Sequence, residues 1–237
     1  VLAETQATAP APKPTPKPTL TPTLTDVPPE KLRALIHAGD IAAVAALLAD
    51  LPGDGQEAQK IIRNVYAMFG ERHPQTVVFT EKWLAQSPQS PQAMAARGWA
   101  LNAEGWAMRG TALGRETSAP AMAALKKAHG EGLALMQAAL QIDPDFLPAS
   151  DGVLSMSFTI GQADLIEPEV ARIMAIHPNR GTLTLAGHGL APNWGGSEGQ
   201  MKTLCRVYAP LVTDRPGYDA EVCFIDGIMQ SGYLPGD

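Results

Sequence analysis

The stretch "ALQIDPDFLPA", residues 139 to 149, decides how this chain is read. An apolar, alanine-rich run stops at Asp143–Pro144, and a second apolar run begins directly after it. Proline has no N–H to donate and disfavours helix in the residue before it, so one helix ends here and another starts. Asp143 and Asp145 then read as helix-end and cap residues, not as an acid/base pair. The same grammar returns in "MAIHPNRGTLTL", residues 174 to 185, where His177–Pro178 replaces Asp143–Pro144. The two prolines stand 34 residues apart, the length of one helix–turn–helix repeat.

Outward from this pair, helix punctuation continues in both directions. "PPEKLRALIHAGD" has Pro29 and Glu30 in its first turn and Gly39 at its end. Asp40 caps "IAAVAALLADL", which stops at Pro52–Gly53, and Pro74 opens "PQTVVFTEKWLAQ". Eleven such segments follow one another on short links. Pro91 to Pro144 spans 53 residues, a repeat lengthened by the 111–118 loop and by longer helices. Strand-like alternation is rare and aromatics make up only 5%, which removes the usual strand formers. The predicted fold is all-α: a TPR-like α-solenoid, or irregular array of antiparallel helix pairs, over residues 27–237.

Residues 1–26 stand apart. They are built from Pro, Thr, Ala and Lys with little to bury, so they read as a disordered, semi-rigid Pro/Thr-rich arm. "VLA" before "ETQ" places small side chains at the −3 and −1 positions of an export-signal cleavage site. Followed by such an arm, this points to the periplasm or cell envelope, with the cytoplasm as the alternative. The balance of 18 basic and 24 acidic residues has no cationic stripe for phosphates, so no nucleic-acid partner is expected. No apolar run is long enough to span a bilayer.

The most site-like stretch is "GHGLAPNWGGSEGQM", residues 187 to 201. As a phosphate loop it lacks the lysine after the glycines and the strand before them. As a nucleophile elbow it lacks the G-x-S-x-G order. Ser197 followed three residues later by Gln200 has capping-box spacing, with the hydroxyl accepting from the Gln200 N–H and the Gln side chain reaching back. Gly195 and Gly196 permit the sharp turn into that cap, and Trp194 covers the joint. Behind it, Met201, Leu204, Cys205, Tyr208, Leu211 and Val212 make one apolar stripe.

"LAPNWGGSEGQM" resembles the L-x-P-x-W-G-G-S-x-x-x-M signature of a bacterial TPR-like helical-repeat family whose function is not assigned. That family's R-G … W-x-x-R-G segment is matched by Arg97–Gly98 and by Trp106, Arg109 and Gly110. Its L-x-x-D-P step is matched by "AALQIDP". The resemblance covers about residues 55 to 212 and implies an all-α repeat fold without implying a reaction.

Trp99 and Trp106 are seven residues apart, as are Gly98 and Gly105. Aromatic and small residues therefore form adjacent stripes on one helix, which suits close packing by a neighbour. The other reading is a partner-binding groove of Trp99, Trp106 and His188, with Arg97 and Arg109 as anion contacts. His37, His73, His129, His177 and His188 share no metal-ligand spacing, so neither a metal nor a cofactor is expected. Cys205 and Cys223 lie equidistant from the turn "TDRPG". In an antiparallel hairpin they face each other at a reach compatible with a disulfide. Two buried thiols in a reducing cytosol are the alternative. The expected function is a non-catalytic scaffold or adaptor for a protein or peptide. The alternatives are a hydrolase using the Trp194–Ser197 loop and an immunity or inhibitor protein for one specific partner.

Overall fold

The computed structural model describes residues 29–51, 56–111 and 116–233. The Pro/Thr-rich arm, residues 1–26, lies outside the described residues, as does part of the 111–118 loop. Among the described residues there are eleven α-helices and no strand. The first six are α1 (Pro29–Ala38), α2 (Ile41–Ala49), α3 (Gln56–Ala67), α4 (Pro74–Gln86), α5 (Pro91–Arg109) and α6 (Ala119–Ile142). The remaining five are α7 (Leu147–Met156), α8 (Ile166–Ile176), α9 (Arg180–Gly189), α10 (Glu198–Tyr208) and α11 (Ala220–Ser231).

Local chemistry accounts for where the helices begin. Side-chain oxygens of Asp40, Ser90, Ser118, Asn179, Ser197 and Asp219 each accept from a backbone N–H in the first turn of the helix that follows. Those N–H groups have no intrahelical partner, so each cap satisfies a donor that the helix itself leaves free. Proline occupies the opening turn of α4, α5, α6 and α7, where a missing N–H costs nothing.

The helices bury two apolar clusters, and α5 with α6 makes the most extensive helix pairing. The first cluster gathers Leu32, Val44, Phe69, Phe79, Trp83 and Met136 from the N-terminal helices. The second gathers Leu154, Ile173, Leu183, Met201, Leu204 and Cys223. Small residues let α5 and α6 approach: a Cβ on Gly132 would come within 3.2 Å of the Gly98 carbonyl oxygen. Helix α7 is buried along its whole length and lies between the clusters. It carries a carboxylate, Asp151, and the Arg63 guanidinium of α3 meets it at 2.7 Å. Arg63 also donates to Thr182 Oγ1 at 2.7 Å and to the α9 cap residue Asn179 at 2.5 Å. One guanidinium thereby ties three helices together.

Helix α11 departs from simple sequential stacking. Its broader contact is with α9, and α10 comes second.

Candidate functional site

The glycine loop folds as a helix entry. Residues Pro192–Trp194 form a short 3₁₀ turn, and Gly195 follows at φ 91°, a left-handed conformation that side chains resist. Gly196 is required for a different reason, since a Cβ there would overlap the Leu190 backbone. The Ser197 hydroxyl accepts from Gln200 N at 3.2 Å and donates to Gln200 Oε1 at 3.1 Å. The glutamine thus reaches back to the hydroxyl itself, where the sequence pattern suggests a bond to the backbone. With both roles taken inside the cap, this hydroxyl is not aimed at a base.

Trp194 is the centre of an aromatic cluster. Its ring lies 5.6 Å from Trp106, 4.9 Å from Phe158 and 5.9 Å from His188. The first two are near-perpendicular edge contacts, the geometry in which a ring's positive edge meets a negative face. Trp106 also packs against His129 at 5.5 Å, and the Arg109 guanidinium sits over Trp106 at 5.6 Å. Helix α5 thus meets the end of α9 and the glycine loop that follows it, elements remote from it in sequence, at Trp106, Arg109, His188 and Trp194.

Electrostatics in the cluster are set by burial. His129 is fully buried, and desolvation pushes its pKa down to about 4, against a smaller opposing effect of its hydrogen bond to the Asn102 backbone. The Asn102 carbonyl can only accept, so Nε2 carries the proton and donates at 3.2 Å. Nδ1 lies 2.7 Å from Thr159 Oγ1, whose single proton is shared between Nδ1 and the Met156 carbonyl, also at 2.7 Å. Burial also lowers the pKa of His188. Both rings are neutral at pH 7, and they serve as packing surfaces. The Trp194 and Arg109 Nε groups are buried without a hydrogen-bond partner.

Arg97 and Trp99 are not part of this cluster. Arg97 is held between Glu104 at 2.5 Å and Glu81 at 3.0 Å, where it clamps α4 to α5. Trp99 packs on the N-terminal core and donates its indole N–H to the Pro148 carbonyl at 3.1 Å. Its partner in the sequence stripe, Trp106, packs on the other core. One heptad of drift along α5 sends the two indoles to different neighbours. Phe158 and Asp151 were not singled out by the sequence, and His129 was weighed there only as a metal ligand. Asp151 does leave a signal, a lone carboxylate within the otherwise uncharged "LPASDGVLSM", which demands a buried cation.

Cys205 and Cys223 sit at disulfide-bonding distance, with their Cα atoms 5.6 Å apart, and join α10 to α11. Among the described residues no cluster of His, Cys, Asp and Glu could hold a metal ion, and no helix is long and apolar enough to cross a membrane. No family model, no curated protein and no solved structure matches this chain.

Proposed function

We propose that this chain is a non-catalytic binding scaffold: a TPR-like array of antiparallel helix pairs that engages a protein or peptide partner in the bacterial cell envelope. One observation carries the reading. The disulfide-linked α10–α11 hairpin exposes large apolar side chains on both helices, Val207 on α10 and Ile225 with Met229 on α11, the last 76% exposed. Ile225 and Met229 are spaced i, i+4, so they share a face of α11. An apolar helix face left exposed in this way suits a contact surface. The cysteine pair favours an oxidising compartment, as expected for an exported protein.

The hydrolase reading finds less support, because Ser197 has both hydrogen-bonding roles committed to Gln200 and His188 packs on Phe158 and Trp194. An immunity or inhibitor protein is a special case of the binding reading. The test uses the full chain as bait in native envelope extract, beside an Ile225→Glu/Met229→Glu variant. Both positions are exposed, so the variant is expected to melt with the wild type while losing the co-purifying partner. Equal capture by both baits would sink the reading.

A further inference from the structure

Both cysteines of this chain belong to one link, Cys205–Cys223, and no free thiol remains. Reversible sulfur oxidation therefore falls to methionine, whose thioether takes up one oxygen to become a sulfoxide. The chain has nine methionines. Met68, Met94, Met136, Met156, Met174 and Met201 are buried, and Met122 is half-buried. Met108 is 49% exposed near the end of α5, and Met229 is 76% exposed on α11.

Access separates these side chains. An oxidant reaches a buried thioether only when the packing around it opens, whereas Met229 is open in the folded state. Its place matters as much as its exposure. Met229 lies one helical turn after Ile225, itself 49% exposed, on the same face of α11. The other side of that helix is fixed, with Gly227 against Gly187 of α9. A change at Met229 therefore alters the outer face and leaves the packing beneath it alone. The thioether is apolar and adaptable, and the sulfoxide is polar and chiral. Burying the sulfoxide oxygen in an apolar contact without a donor is costly.

We infer that Met229 is an oxidation site through which a peroxide switches off the apolar contact face of α11. The Met229 sulfur attacks one oxygen of hydrogen peroxide. The S–O bond forms as the O–O bond breaks, sulfur gives up two electrons, and the departing hydroxide takes the proton of the attacked oxygen and leaves as water. Two electrons and two protons from a thiol reductant, delivered by methionine sulfoxide reductases, restore the thioether and release water. The inference rests on the binding reading above and adds its regulation.

The experiment treats the purified full chain with hydrogen peroxide, removes the oxidant, and reads peptide mass maps, thermal melts and capture from native envelope extract. Sulfoxide is expected first at Met229, ahead of Met108 and well before the buried methionines. At full Met229 oxidation the melt is unchanged and capture falls about tenfold, the equivalent of losing one apolar side chain from a contact. Sulfoxide reductases of both epimer specificities restore it. Met229→Leu cannot be oxidised at this position, so whatever it captures untreated it still captures after peroxide. Earlier oxidation of another methionine, undiminished capture by the Met229 sulfoxide, or equal loss from peroxide-treated Met229→Leu each overturns the inference. If the sulfoxide leaves capture intact while Ile225→Glu/Met229→Glu abolishes it, this inference alone falls and the binding reading stands. If neither changes capture, both fall.

Discussion

Gly187 of α9 and Gly227 of α11 meet backbone to backbone: a Cβ on Gly187 would lie 2.9 Å from the Gly227 Cα. No rotamer change relieves that contact, because the obstacle is main chain. This approach lets the last helix lie against α9 instead of pairing with α10 alone. Gly187→Ala is expected to cost about 1–3 kcal/mol by overpacking. Gly130, inside α6, has open space where its Cβ would be. Gly130→Ala is therefore expected to add about 0.5–1 kcal/mol through helix propensity alone. Denaturant melts of the two variants should move in opposite directions.

Trp194 and Ser197 separate a structural loop from a functional one. Trp194→Ala removes a ring that touches Trp106, Phe158 and His188, and should cost about 3 kcal/mol, the lower end for aromatic truncation because the ring is only half-buried. Ser197→Ala loses one cap and should cost about 1 kcal/mol. Partner binding should follow the folded fraction in both. A Ser197→Ala chain that melts like wild type yet has lost its function would mean the loop is a site.

Stability should depend on pH through His129. Its folded pKa of about 4 lies below the 6.5 of an unperturbed imidazole. Between those values the unfolded chain binds the extra proton, so stability falls as pH drops from about 6.5 to about 4. The full effect is on the order of 3 kcal/mol. His188, shifted the same way by burial, adds to it. Asp151 acts with the opposite sign, since burial raises its pKa despite Arg63, and protonating it at low pH relieves that cost. His129→Gln keeps a donor toward the Asn102 carbonyl and no longer titrates, so its stability should be flatter over this range. A variant with the wild-type slope would rule out His129 as the cause.

Reducing the Cys205–Cys223 link should lower the melting temperature without changing the helix content at low temperature. Chain entropy for closing a loop of this length, 18 residues in separation, is about 3 kcal/mol. Both cysteines are buried, so reduction should proceed only as fast as α11 opens. Reduction as fast as that of an exposed disulfide would show that α11 opens readily from the array.

The eleven helices were legible because their signals are local. A cap such as Ser90 or Asn179 satisfies N–H groups two or three residues away, and a proline such as Pro144 acts on its immediate neighbours. The Cys205–Cys223 pairing was legible for a related reason, since a two-helix hairpin has only one mirror point. The loop at Trp194 could be read as a turn, because Gly195 and Gly196 are demanded by backbone geometry. What Trp194 touches could not be read, because Trp106 and Phe158 arrive on helices whose relative placement no short pattern encodes. The same applies to Arg97, which looks available in the sequence and is claimed by Glu81 of another helix, and to Arg63, whose three hydrogen bonds reach α7 and α9. Helix formation and capping act over a few residues, so sequence alone determined the elements. Helix packing sums many weak contacts between distant segments, so only the tertiary structure decided which side chains met.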